Sequence, residues 1–382
     1  MRIAIVHDWL TGMRGGEKVL SLLCRMFPSA DLLTLIHRPG SCDAHIERMN
    51  IRTSYLDRLP GVARYYRYLL PLMPGAIARM DATGYDLVIS CSHCVAKAVP
   101  RSPAAAHACY CFTPMRYVWD AAEEYRAQMG LGGWGLRMLA ARLRDWDRRS
   151  ADNVDLFMSN SRTVAERIER HYARPATVVY SPIDAEFFAP DSGPREDFYL
   201  MVGALAPYKR ADLAIDAFAA LGRPLRIIGS GPQWRTLRRR APANVTLLGW
   251  QSDDVVREHY RRCRALIFPG REDFGLAPLE AMACGAPVIA YGAGGALETV
   301  LDAAAQSPDG PTGLLYTPQT VEALVEAVRT FERISGMFTP GRLAAWAGRF
   351  GQGRFIEEFR RALLPLLRGK GLAEPWSSNT RA

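Results

Sequence analysis

A chain of 382 residues is too long for one ordinary hydrophobic core and predicts about two domains. With 49% hydrophobic and 23% charged residues it reads as a folded globular protein, which excludes a disordered chain. No run reaches the ~18 apolar residues of a membrane-spanning helix, and a net charge of +9 is carried unevenly: residues 1–183 hold 24 Lys+Arg against 17 Asp+Glu, and residues 184–382 hold 24 against 22.

The N-terminal stretch MRIAIVHDWL carries one Arg and a short apolar run before His7 and Asp8, so it reads as a first strand and not as a signal peptide. A cytoplasmic location is therefore expected. Short apolar runs then alternate with helical spacing, the signature of βα units on a parallel sheet. The expected strands of the first half are Arg2–Val6, Asp31–Thr34, Leu87–Ser90, Ala108–Cys111, Leu156–Ser159 and Thr177–Tyr180. Gly15 and Gly16 are expected just before a helix over Glu17–Met26, where small residues let an anion or a sugar approach the backbone, or simply make a turn.

Two basic segments stand out. Arg58–Met80 interleaves Arg58, Arg64, Arg67 and Arg79 with Tyr65, Tyr66, Tyr68 and three leucines. Trp134–Arg149 places Leu136, Leu139, Leu143 and Trp146 at helical spacing, with Arg137, Arg142, Arg144, Arg148 and Arg149 between them. Either segment could lie on an anionic membrane or pack on its own sheet. Cys91, His93, Cys94, His107, Cys109 and Cys111 could in principle hold zinc, but their placement on apolar runs favours reduced core thiols.

Ser181–Pro194 is Pro-rich and marks the boundary between two α/β series. Domains are expected over 1–183 and 195–350, with a C-terminal helical stretch over 351–382. The second series offers strands at Phe198–Val202, Leu225–Ile228, Val245–Leu248, Ala265–Phe268 and Pro287–Ala290, and helices at Ala211–Leu221 and Val321–Arg333.

The stretch FPGREDFGLAPLEAMACGAPVIAYGAGG, Phe268–Gly295, carries the most chemistry. It reads as strand, loop, helix over Leu279–Cys284, and strand, with Pro278 suited to a first helical turn and Gly285 to a C-terminal cap. The backbone N–H groups of Gly275, Leu276 and Ala277 would then lie at the positive end of a helix, an arrangement that binds a diphosphate. Glu280, expected in the first turn, can accept two hydroxyl protons, as from a ribose, and Glu272 in the loop can take sugar hydroxyls. Lys209 and Arg210 sit at a loop–helix junction where cations clamp phosphate. Gly229 and Gly231 form a tight loop at a strand's carboxyl end, where open α/β sheets bind ligands.

These residues resemble the retaining glycosyltransferase family 4. Glu272 and Glu280 with seven residues between them, FGLAPLEAMACGAPVIA, Gly294-Gly295 with Glu298, and the Gly15-Gly16 pair all match that family's pattern. YCFTPMRYVWD (Tyr110–Asp120) and SHCVAK (Ser92–Lys97) resemble bacterial mannosyltransferase-like enzymes of surface-polysaccharide synthesis. The resemblance implies an α/β fold of the GT-B class, two Rossmann-like domains with parallel sheets facing a central cleft, the last helix packing back on the N-terminal domain. It implies a retaining transfer of a sugar, mannose from GDP-mannose, to a hydroxyl of a glycan or lipid-linked glycan. The alternative is an inactive GT-B accessory protein that binds a partner or a nucleotide sugar.

By the same resemblance Lys209 and Arg210 neutralise the donor diphosphate, Glu280 holds the ribose and Glu272 binds the donor sugar. Gly275, Leu276 and Ala277 give backbone contacts, and Gly16 lies near the leaving phosphate. No cofactor or catalytic metal is implied beyond the nucleotide-sugar donor, and Asp145-Trp-Asp147 is read as ion pairing within a helix and not as a metal motif. Two positions depart from the pattern. Ala204 stands where many relatives have Arg, and Phe112 where many have His, so His107 and His93 become the catalytic candidates for that polar role. Arg116 and Asp8 are expected on the acceptor side. Peripheral contact with an anionic membrane at the inner face of the cell is an expectation; nucleic-acid binding is not, because the basic residues follow no known module.

Overall fold

A computed structural model describes residues 1–119, 133–305 and 307–376, the side chains of residues 133–138 aside. The chain divides into two compact units, 1–180 with 356–382, and 181–355.

The first unit is built on a parallel sheet of β1 (Ile3–His7), β2 (Asp31–Thr34), β3 (Asn50–Thr53), β4 (Leu87–Ser92), β5 (Ala106–Cys111), β6 (Leu156–Ser159) and β7 (Ala176–Val178). The strand order is β3-β2-β1-β4-β5-β6-β7. β1, β4 and β5 are buried along their whole length, which is why they read as continuous apolar runs. β3, the sequence Asn-Ile-Arg-Thr, lies at the sheet edge with mostly exposed residues, so no apolar pattern announces it.

The second unit carries β8 (Tyr199–Val202), β9 (Leu225–Ile228), β10 (Val245–Gly249), β11 (Leu266–Phe268), β12 (Val288–Tyr291) and β13 (Gly313–Tyr316). Their order is β10-β9-β8-β11-β12-β13, all parallel. β13 is not among the strands expected from the sequence. Residues 184–194, a link by sequence, pack on this unit: Phe188 is buried edge-on to Tyr260, and Asp191 pairs with Arg262 at 2.6 Å.

Both sheets reverse their direction of growth once, between β1 and β4 in the first unit and between β8 and β11 in the second. In open α/β sheets the crevice for ligands opens outside the carboxyl ends of the strands at that reversal.

The two basic segments resolve differently. Arg58–Met80 is a chain of short turns: 3-10 helices end at Arg58 and cover Val62–Arg64 and Tyr66–Leu72, and a short α-helix covers Met73–Ile77. Tyr66, Met73, Ala76, Ile77 and Met80 belong to the core, while Tyr68 and Leu72 are exposed. The second segment is a helix, Gly133–Ser150, whose Leu139, Leu143 and Trp146 pack against the same core cluster. Leu136 and Arg137 lie outside the described side chains. The C-terminal helix Gln352–Gly369 buries Phe355, Phe359, Leu363 and Leu367, and Phe359 meets the rings of Phe27 and Tyr110 in the first unit.

Candidate functional site

In the second unit, loops after four neighbouring strands converge at the carboxyl edge of the sheet. Gly203 follows β8, and its N–H donates to the carbonyl of Ile228 (3.0 Å). A Cβ on Gly229, after β9, would overlap the Gly203 carbonyl oxygen, so these two turns touch backbone to backbone. Gly231 meets Leu205 in the same way, at 2.5 Å from an added Cβ to the carbonyl oxygen. The loop after β11 joins them: a Cβ on Gly270 would come within 2.8 Å of the Lys209 Cα. The loop after β12 closes the set, because the Gly295 N–H donates to the Glu272 carbonyl at 2.8 Å. Glycine is needed at these positions because side chains would push the loops apart.

This scaffold brings two predicted side chains together. Lys209 Nζ forms an ion pair with Glu272 Oε2, with both side chains largely shielded from solvent. Lys209 is backed by Gly203, whose added Cβ would lie 3.8 Å from Nζ. Beside them starts the helix Leu276–Ala283, three residues earlier than the pattern suggests, with Gly275 as its N-cap at φ 87°. An L-residue there would be strained, and its Cβ would fall 2.8 Å from the Phe268 ring. Helix geometry leaves the N–H groups of Leu276 and Ala277 without intrahelical acceptors, and Pro278, now the third helical residue, has no N–H at all.

Glu280 consequently sits in the second turn and not the first. It is buried and accepts a hydrogen bond from the Tyr260 hydroxyl at 3.3 Å. Arg210 is occupied as well: it takes the left-handed conformation at φ 55°, its Nε bonds Asp212, and it donates to Gln319 Oε1 at 3.3 Å. Gln319 in turn donates to the Pro269 carbonyl at 2.7 Å and ties the two loops. Sequence alone gives Gln319 no role, because it stands 50 residues from its loop partner and has no local signature.

In the first unit the candidates part company. His107 cannot serve in catalysis from where it lies. It is fully buried in β5, with Nε2 2.9 Å from Ser90 Oγ and Nδ1 2.8 Å from the Asn153 carbonyl. Burial pushes its pKa down to about 4, so it is a neutral structural histidine. Asp8 is equally unavailable to an acceptor. It is buried and accepts from the N–H groups of His93 (2.8 Å), Cys94 (3.0 Å), Val95 (2.6 Å) and Ala96 (2.8 Å). Burial alone would raise its pKa, but the charges and bonds of His93 and His7 outweigh that and hold it well below the ordinary carboxylate range.

His93 remains part-exposed, with Nδ1 3.0 Å from Asp8 Oδ2. Gly16 is the second residue of the helix Gly15–Met26 and not a turn before it; a Cβ there would meet the Phe112 ring at 3.5 Å, an ordinary contact. Arg116 is half-buried.

The Asp-Trp-Asp sequence splits. Asp145 pairs with Arg149 at 2.7 Å on the helix surface, as its spacing suggests. Asp147 is buried and forms an ion pair with Lys97, which follows β4. It also accepts from Trp119 Nε1 and the Tyr172 hydroxyl, each at 2.8 Å. No sequence signal links these four residues. Among the described residues no group of three or more His, Cys, Asp or Glu is placed to hold a metal, and the cysteines are free thiols.

Residues 182–337 match the family model of the glycosyl transferases group 1. The matched stretch makes up most of the second unit and contains every loop of the converging site described above. A similar protein from Methanocaldococcus jannaschii, known as an uncharacterized glycosyltransferase, is 32% identical over 181 residues, 46% of this chain and 49% of its own. A GDP-mannose-dependent alpha-(1-6)-phosphatidylinositol monomannoside mannosyltransferase of Mycobacterium tuberculosis is 28% identical over 227 residues, 51% of this chain and 56% of its own. The chain thus spans about half the length of the curated relatives it matches.

Among solved structures, Anabaena HepE in complex with UDP superposes with a TM-score of 0.68 at 17% identity, covering 96% of this chain and 100% of that one. Sucrose-phosphate synthase from Thermosynechococcus elongatus gives 0.73 at 18%, covering 97% and 100%. At such identities the likeness shows the fold, two Rossmann-like parallel-sheet domains of the GT-B class.

Proposed function

We propose that the protein is a retaining glycosyltransferase that moves a sugar, mannose from GDP-mannose, to a hydroxyl of a glycan or lipid-linked glycan in polysaccharide synthesis. The observation that carries this reading is the Lys209–Glu272 pair beside the Gly275 helix start, at the point where the second sheet reverses. A diphosphate entering there meets an ammonium group and two N–H groups at the positive end of a helix. Negative charge developing on the leaving diphosphate is then stabilised by groups already in place, and such preorganised charge stabilisation supplies most of the rate acceleration in many enzymes. Glu272, released from Lys209, faces the sugar hydroxyls, and Glu280 takes the ribose. Arg210 supports the loop through Asp212 and Gln319 instead of gripping phosphate directly.

The GDP-mannose-dependent relative supports the choice of donor, and the HepE complex with UDP supports a nucleotide in this fold. A thermal-shift panel of GDP-mannose, UDP-glucose and ADP-glucose tests both points, since a ligand that binds the folded state raises the melting point by mass action. GDP-mannose should give the largest shift. A larger shift with another base would replace the donor, and no shift with any of the three would reject the function.

For location we propose the cytoplasmic side of the membrane, reached by peripheral contact. Among the described residues no helix is long and apolar enough to cross a bilayer. Tyr55, Leu59, Tyr68 and Leu72 are exposed on the same segment as the exposed Arg58, Arg67 and Arg79, and no acidic residue occurs from Arg58 to Met80. Apolar tips among cations suit an anionic lipid surface. Sedimentation with phosphatidylglycerol vesicles but not with phosphatidylcholine vesicles is the expected result; sedimentation with neither would remove this contact.

A further inference from the structure

Two loops of the second unit carry the charged pair, and a residue of a third loop joins them. Lys209 ends the 3-10 turn Pro207–Lys209 after β8, and Glu272 lies in the loop after β11. Gln319 comes from neither. It follows β13 and directly precedes Thr320, the cap of the helix Val321–Ile334. Its Oε1 accepts from Arg210 Nη1 at 3.3 Å, and its Nε2 donates to the Pro269 carbonyl at 2.7 Å. A guanidinium only donates and a carbonyl only accepts, so both ends of the amide are used and its orientation is fixed.

Arg210 depends on such an anchor. It takes the left-handed conformation at φ 55° and ψ 41°, which residues other than glycine disfavour. Its N–H closes the turn on the Pro207 carbonyl at 3.0 Å, and its side chain is held on Asp212 and Gln319. From the other loop Gly270 lies against this turn: an added Cβ would fall 2.7 Å from the Tyr208 carbonyl oxygen and 2.8 Å from the Lys209 Cα. A contact of that kind limits how closely the loops approach. It does not limit how far they part, whereas a hydrogen-bonded bridge does. The Lys209–Glu272 pair also draws the loops together, but a diphosphate that takes the ammonium, as proposed above, breaks it. The Gln319 bridge uses neither side chain and survives that exchange.

We propose that Gln319 is a positioning residue of the donor site, holding the Arg210 and Pro269 loops at one separation so that Lys209 keeps its place when Glu272 releases it; this rests on the glycosyltransferase reading above. Ligand entry then moves a carboxylate side chain and leaves both loop backbones where they are. Gln319 touches no substrate in this role and acts through Lys209. The placement matters because charge-assisted bonds to a phosphate weaken steeply with distance and angle.

The test is a double-mutant cycle on the affinity for free GDP, or for UDP or ADP where that donor gives the larger melting shift, measured by isothermal titration. Gln319→Met keeps the length of the side chain and loses both hydrogen bonds. With Lys209 present it should weaken binding by about tenfold. In the Lys209→Ala background it should change binding by less than about twofold, because the group it positions is gone. Arg210→Lys keeps the charge but loses the fork that reaches both Asp212 and Gln319. It should show the same dependence on Lys209, and it decides the matter if Gln319→Met does not fold. Equal weakening in both backgrounds would make the bridge structural only. An affinity within about twofold of wild type with Lys209 present would show that the loops keep their spacing without it, and either result overturns the proposal. Wild-type protein that binds no nucleoside diphosphate and shows no melting shift with any nucleotide sugar would instead bring down the glycosyltransferase reading, and this role with it.

Discussion

Lys209 and Glu272 neutralise each other in the structure. On the proposed function, a diphosphate must displace the carboxylate from the ammonium before it gains the full benefit of that charge. The two residues should respond in opposite directions to removal of charge. Lys209→Ala is expected to weaken binding of free GDP and to lower turnover by roughly tenfold or more. Glu272→Gln is expected to tighten binding of free GDP, by about tenfold, while turnover still falls because the sugar loses its carboxylate. Isothermal titration with GDP distinguishes this from a carboxylate that serves the sugar alone, which would leave GDP affinity unmoved.

His107 makes a prediction of a different kind. Its folded pKa of about 4 lies below the ordinary 6.5, so the unfolded chain binds a proton that the folded chain refuses. Stability from this group is complete above pH 6.5 and is lost as pH falls towards 4. Between about pH 7 and pH 5 the loss should amount to about 2 kcal/mol. Unfolding free energies from urea titrations at the two pH values should differ by that much more in wild type than in His107→Gln; an equal difference in both would show that the histidine is not held neutral.

At the scale of elements, the site depends on turns that touch through their backbones. Gly229, at φ 147°, carries its hydrogen where a methyl group would strike the Gly203 carbonyl. Gly229→Ala should displace the loop that positions Lys209 and cost about 2–3 kcal/mol, the usual penalty for overpacking. Loss of the donor's melting shift together with a lower melting point is the expected result, whereas an unchanged shift would mean that the loop is free to adjust. The same scale explains what pattern reading can and cannot find. Helix Ala211–Leu221 is legible to the residue, because its apolar positions recur with the helical period and Gly222 ends it at φ 66°. The helix after Gly275 starts three residues before its expected position, because Pro278 is tolerated at the third position as well as the first: neither the second nor the third N–H has an intrahelical acceptor to lose.

For the molecule as a whole, the first unit is not a contiguous piece of chain: it needs residues 356–382 in addition to 1–180. Phe359 is fully buried against Phe27 and Tyr110, so Phe359→Ala should cost about 3–5 kcal/mol. Chemical denaturation followed by tryptophan fluorescence would register it, and a cost below about 1 kcal/mol would mean that the last helix is merely apposed to the core. A fragment ending at Tyr180 would carry that apolar face uncovered.

The parallel sheets and the glycine turns at the carboxyl edge of the second one were legible in the order of residues, because each rests on local rules: apolar runs for buried strands, helical spacing, glycine where backbone approaches backbone. Glu272, Lys209 and Gly275 could be nominated one by one on that basis. Their meeting at one point, the withdrawal of Asp8 and His107 into the interior, and the buried Lys97–Asp147 pair came from folding alone. Each depends on which side of a sheet a residue faces and on partners tens of residues away, and burial, which decides whether a carboxylate or an imidazole is a tool or a tether, is a property of the packed chain.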